Sequence, residues 1–178
     1  TENASIARLM FSLLKSCFEI DSRVVMRKNR HLKKNNNYTL HIDSDMGSQD
    51  ILKMTGILLE SNHGLKLNHK LPHFLINKVC CRKAYLRGVF LGGGSISDPE
   101  KTYHLELVTN NEGFAEDIKQ LMNHYEFGAK VVMRKGSFVV YIKEGDRIVN
   151  FLNIIGAHNA LLKLENIRIY KELRNNVN

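Results

Sequence analysis

No run of apolar residues in this 178-residue chain approaches the length of about 18 that a membrane-spanning helix requires, and nothing at its start has the pattern of a secretory signal. Both absences predict a cytoplasmic protein with no membrane partner. Cysteine is scarce and odd in number, with Cys17, Cys80 and Cys81 and no Cys-x-x-Cys spacing, which excludes a zinc site of that type. Neighbouring helical side chains point about 100° apart, so a Cys80–Cys81 bridge would be strained and buried reduced thiols are expected instead. Acids are missing from one long stretch, since none lies between Glu60 and Asp98. Histidines 63, 69 and 73 fall in a segment broken by Gly64 and Pro72; only His69 and His73 are four apart, and they straddle Pro72. They read as surface residues of a connector, and neither a metal nor a cofactor is expected.

What the chain does contain is the same stretch twice. Ile6, Ala7, Leu13 and Leu14 match Phe114, Ala115, Leu121 and Met122 at an offset of 108. One residue is then dropped in the second copy, and Val24-Val25-Met26-Arg27-Lys28 is identical to Val131-Val132-Met133-Arg134-Lys135. After a longer loop in the first copy, Tyr38, Leu40, Ile42, Leu52 and Gly56 match Phe138, Val140, Ile142, Leu152 and Gly156 at an offset of 100. The period far exceeds that of solenoid repeats, so one subdomain has been duplicated.

Periodicity gives the elements. Ile6, Leu9, Met10, Leu13, Leu14 and Cys17 recur at helical spacing, as do Phe114, Ile118, Leu121, Met122 and Tyr125. Alternating segments 22–28 with 37–43, and 129–135 with 138–143, predict two hairpins, and short helices follow at 47–55 and 145–155. The second copy adds a helix from Val79 to Gly92 and a strand or hairpin over 94–109. A last helix runs from Ala160 to Arg174.

The net charge of +8 favours a polyanionic partner, and the excess is concentrated. Between Ser22 and Asp43 six basic residues (Arg23, Arg27, Lys28, Arg30, Lys33, Lys34) stand against one acid. Strand alternation puts Val24 and Met26 on the inward face and Arg23, Val25 and Arg27 on the other. In the second copy Val131 and Met133 turn inward, which leaves Lys130, Val132 and Arg134 outward. On the partner strands Tyr38, Leu40 and Ile42 turn inward with Phe138, Val140 and Ile142, so Thr39 and His41 share the outer face with Tyr141 and Lys143. That face suits phosphates, although an ordinary solvated sheet is decorated in the same way. Arg30, Lys33 and Lys34, on the asparagine-rich loop, would extend the contact.

On the 79–92 helix, Cys81, Ala84, Gly88 and Gly92 are three or four apart and form a face with little side-chain bulk, against which another helix can pack closely. A frayed or kinked helix is the alternative reading of Gly88. The run Leu86-Arg87-Gly88-Val89-Phe90-Leu91-Gly92-Gly93-Gly94 resembles a degenerate Leu-Ala-Gly-Leu-Ile-Asp-Ala-Asp-Gly motif, which names the LAGLIDADG homing endonucleases. With its flanks, Cys80 to Gly88 running into Gly92 to Pro99 and His104-Leu105-Glu106, it resembles the WhiA family of sporulation and cell-division transcription regulators of Gram-positive bacteria.

The resemblance implies an α+β, duplicated LAGLIDADG-like fold of helix-hairpin-helix-hairpin-helix repeats, with paired motif helices and two sheets forming a pseudo-two-fold saddle on double-stranded DNA. The expected divisions are a first half over 1–57 that lacks its motif helix and first hairpin, a connector over 58–78, a second half over 79–157, and a helix over 158–178 that leads to a helix-turn-helix domain outside this chain. In active enzymes of this fold the motif's eighth position carries a metal-binding acid; here it is Gly93, with Leu91 at the other acidic place, so no nuclease activity is expected. A still-active enzyme would need carboxylates from elsewhere. The implied role is a non-catalytic, nucleoid-associated DNA-binding domain, with other transcription or cell-division proteins as further partners. The alternative is a scaffold for protein or ligand contacts, with DNA read only by a separate helix-turn-helix domain.

Overall fold

A computed structural model describes residues 1–28, 36–62 and 64–177, the side chains of 176 and 177 excepted. The chain forms two compact units, Thr1–Asn68 and His69–Asn178. The loop bearing Arg30, Lys33 and Lys34, and His63, lie outside the described residues.

The second unit holds the core. Helix α3 (Val79–Gly93) leads into strands β5 (Gly94–Ile96) and β6 (Leu105–Thr109), then helix α4 (Glu112–Asn123), strands β7 (Lys130–Arg134) and β8 (Ser137–Ile142), helix α5 (Gly145–Ile154) and helix α6 (His158–Val177). The antiparallel sheet has the order β5-β6-β8-β7. One of its faces is packed by Leu105, Leu107, Val140 and Ile142 against Leu86 of α3, Ile118 and Met122 of α4, and Ile148 and Phe151 of α5, all of them buried. The turn between β7 and β8 needs only Lys135 and Gly136, both at positive φ (51° and 79°), which matches the twist of a tight hairpin.

The first unit comprises helix α1 (Ala4–Phe18), hairpin β1 (Arg23–Lys28) and β2 (Asn36–His41), helix α2 (Ser48–Met54) and a second hairpin, β3 (Leu58–Ser61) and β4 (Gly64–Leu67). The duplication is visible in local chemistry. Asn3 caps α1 by accepting from Ser5 and Ile6 N–H, and Asn111, at the offset of 108, caps α4 by accepting from Phe114 N–H. Glu19 and Glu126 both follow their helices in the left-handed region, at φ 57° and 60°. Gly56 and Gly156, at φ 72° and 74°, end α2 and α5 with the same pair of reversed bonds. Ile57 N–H donates to Leu52 O and Gly56 N–H to Lys53 O (2.9 and 3.0 Å); Ala157 N–H donates to Leu152 O and Gly156 N–H to Asn153 O (2.8 and 3.0 Å). Even the strand pairing repeats: Tyr38 N–H donates to Thr1 O at 2.8 Å, where Phe138 pairs with Thr109 in the second unit.

Three expectations need correction. The cysteines are free but not buried: Cys17 and Cys80 are exposed and Cys81 is partly covered, Cys17 in the last turn of its helix and Cys80 and Cys81 in the first turn of theirs. The inward-facing Val24 and Met26 remain 48% and 52% exposed, and Met133 is 68% exposed. A two-stranded ribbon and an edge strand leave part of their apolar face uncovered, whereas the four-stranded sheet buries its central rows. Finally, the segment read as a mixed connector contains the β3–β4 hairpin, closed by Ser61 Oγ donating to Gly64 O at 2.7 Å and tied to α2 by Lys53 and Glu60 at 2.6 Å. That pair raises the Lys53 pKa and lowers that of Glu60, chiefly through their shared hydrogen bond.

Candidate nucleic-acid interface

Residues directly opposite in an antiparallel ladder share a face, so the register fixes what each sheet presents. In the first unit Arg23 lies opposite His41, Val25 opposite Thr39, and Arg27 opposite Asn37. These form one face, and Val24, Met26, Tyr38 and Leu40 form the other. In the second unit Lys130 lies opposite Tyr141, Val132 opposite Val139, and Arg134 opposite Ser137. The order basic, valine, basic thus stands on one strand face in each unit, as alternation predicts.

The cations differ in their surroundings. Arg23 meets Asp43 at 3.5 Å, with both side chains mostly solvated. Arg27, Lys130 and Arg134 are exposed and have no carboxylate partner among the described residues. Lys143 lies over the Tyr141 ring, its Nζ 5.3 Å from the centroid, and His104 stacks on the same ring at 5.8 Å between ring centres. Extending the register across β6 and β5 adds residues not singled out from the sequence: Glu106 and Ser95 continue the row of Lys130 and Tyr141, and Val108 continues the row of Val132 and Val139. The alternation over Tyr103 to Thr109 was the available signal, since Leu105 and Leu107 on one face put Glu106 and Val108 on the other. Val139, although on this outer face, is only 5% exposed, because it sits on an inner strand between the two flanking valines.

The motif helix α3 runs unbroken to Gly93, so Gly88 does not kink or fray it. Leu86 faces the core and Arg87 Nε donates to Ile155 O at 2.5 Å, placing a cation at the C-terminal end of α5. Cys81 is partly covered, while Ala84, Gly88 and Gly92 are exposed, and nothing lies within 4 Å of where a Cβ on Gly88 or Gly92 would stand. Gly93 is different: a Cβ there would be 2.9 Å from the backbone oxygen of Val108. The helix end therefore approaches strand β6 too closely for any larger residue to fit without movement. Beside it an apolar cavity of about 250 Å³ is lined by Val89, Gly92, Gly93, Val108, Phe114 and Ile118, among others. Among the described residues no group of three His, Cys, Asp or Glu side chains is arranged to hold a metal, and no helix is long and apolar enough to cross a membrane.

This architecture is of the LAGLIDADG type. A solved full-length DUF199/WhiA from Thermatoga maritima superposes with a TM-score of 0.66 at 19% identity, covering 96% of this chain and 51% of that one. The homing endonuclease I-DmoI, solved in complex with DNA and Mn, gives 0.55 at 15% identity, covering 86% of this chain and 73% of that one. Residues 1–58 match the WhiA N-terminal LAGLIDADG-like domain and residues 82–174 the WhiA LAGLIDADG-like domain. The chain belongs to the WhiA family. Probable cell division proteins WhiA from Alkaliphilus metalliredigens and Clostridium botulinum are 52% and 53% identical over all 178 residues. The chain spans 56% of the length of each of these relatives.

Proposed function

We propose that this chain is a non-catalytic, double-stranded DNA-binding part of a transcription regulator of cell division and sporulation, acting at the nucleoid. The observation that carries the reading is the repeated basic-valine-basic row on each outer sheet face, with Arg27, Lys130 and Arg134 free of carboxylate partners among the described residues. Unpaired cations on a regular surface release counterions when they meet phosphates, which supplies affinity without sequence information. Lys143, His41 and Tyr141 extend these faces, and Arg30, Lys33 and Lys34 are proposed to add to the contact from the loop. The relatives' description as probable cell division proteins supports the cellular role. Resemblance in fold to a DNA-bound endonuclease supports only the scaffold.

Cleavage is not part of the proposal. Phosphodiester hydrolysis at this fold's metal site needs a carboxylate to hold the cation, and Gly93 has no ligand to offer. The exposed small face of Cys81, Ala84, Gly88 and Gly92 is proposed for close packing of another helix. Together with the apolar cavity beside Gly93, that face favours the second reading, a scaffold for protein or ligand contacts.

One variant separates the two readings. Replacing Arg23, Arg27, Lys130 and Arg134 together by Ser is expected to weaken duplex binding and to reduce the slope of log K against log salt by about 3 to 4, at roughly 0.9 for each phosphate no longer neutralised. Titration of labelled duplex across a salt series measures both. An unchanged slope moves the function to the scaffold reading.

A further inference from the structure

We propose that Glu106 reads a base: from the centre of the second unit's outer sheet face, its carboxylate accepts a hydrogen bond from the exocyclic amine of cytosine in the major groove. The inference rests on the DNA-binding reading above and assigns the chemistry of one position within it.

Ser95, Glu106, Tyr141 and Lys130 form one row across all four strands, and Glu106 is the one acid among the strand residues of that face. A carboxylate placed among phosphate-binding cations works against them, because it repels the backbone they attract. Ser95 and His104 take up part of its acceptor capacity; what remains calls for a further donor, and duplex DNA offers donors on base edges, not on its backbone.

The side chain is also held. Ser95 Oγ donates to Oε1 at 3.3 Å, and His104 Nε2 stands 3.1 Å from Oε2, with the Glu106 and His104 side chains each about 25% exposed. His104 in turn stacks on Tyr141, whose ring lies under Lys143. Each carboxylate oxygen can accept two bonds, so acceptor sites stay open after Ser95 and His104 are satisfied. A fixed, partly desolvated acceptor discriminates among partners better than a mobile solvated one does.

The choice of base follows from the edges. Guanine presents N7 and O6 acceptors and thymine an O4 acceptor, which a carboxylate repels; adenine offers its N6 donor beside the N7 acceptor. Cytosine alone presents its N4 donor without an acceptor next to it, and it is the ordinary partner of Glu and Asp in direct readout. Glutamine in the same place would instead make a two-bond contact to adenine.

The test is selection of bound duplexes from a randomised library by the 178-residue chain and by its Glu106→Gln and Ser95→Ala variants, each first checked for an unchanged circular dichroism spectrum. Wild type is expected to prefer cytosine at one position by about tenfold, within the roughly 5- to 150-fold range of a good base contact. Glu106→Gln should move that preference to adenine, and Ser95→Ala should relax it severalfold without creating a new one. The inference is overturned if wild type binds duplex with no base preference, or if Glu106→Gln keeps the same one. Uniformly tighter binding of all sequences by Glu106→Gln also overturns it, since the acid would then be only a repelling charge. In each of these cases the DNA-binding reading survives; absence of duplex binding by wild type removes both.

Discussion

Gly93 decides more than its size suggests. A Cβ here would stand 2.9 Å from the Val108 carbonyl oxygen, a gap that no side chain enters without movement; on the non-catalytic reading proposed above, the same residue also leaves the metal site without its ligand. Writing the acid back is therefore not a simple restoration. Gly93→Asp is expected to cost about 1–3 kcal/mol, as overpacking does, and to lower the melting temperature. Neither wild type nor this variant should nick supercoiled plasmid in magnesium; nicking that co-purifies with the wild-type protein would overturn the non-catalytic reading. The glycines at 88 and 92 carry no such constraint, because a Cβ at either would meet open space.

At the scale of elements, the duplicated helices share a start and differ in what they bury. Asn111 Oδ1 accepts from Phe114 N–H at 2.8 Å, and behind that cap α4 buries Ala115, Ile118, Leu121 and Met122. Asn3 gives α1 the same cap, yet only Ala7 and Leu14 of α1 are buried. Loss of a cap costs about 1 kcal/mol. Asn111→Ala should therefore shift the urea midpoint of the second unit's unfolding, whereas Asn3→Ala should act on α1 alone, raising local amide exchange there. A shift of the second unit's midpoint by Asn3→Ala would show that α1 is more strongly coupled to its surroundings than its burial indicates. Most of these elements were legible in the chain, since helical and alternating periodicities follow from backbone geometry within a few residues. The β3–β4 hairpin was not: its strands have four residues each, Leu58-Leu59 breaks the alternation in β3, and the Leu65-Lys66-Leu67 alternation of β4 is too short to be told from a turn.

For the whole molecule, the distribution of buried surface is the governing fact. Every residue of the hydrophobic core cluster, from Leu71 to Leu164, belongs to the second unit, while the first exposes Leu9, Met10, Leu13, Val24 and Met26. Opening free energies track buried apolar contacts. Amide exchange should thus be slowest in β6, β8 and α4 and markedly faster in β1 and β2; equal protection in the two hairpins would contradict this ordering. The sequence by itself determined the duplication, the helical and alternating periodicities, and the partition of each strand into two faces. All of these are set by local stereochemistry or by direct identity between the copies. Only the tertiary structure decided which faces are covered, why Val139 is sheltered while Met133 is not, and that Glu106 is clasped by Ser95 and His104 amid the cations. Burial and partners are contributed by strands and helices far away in the chain, and a repeating pattern along one segment holds no record of what will come to lie against it.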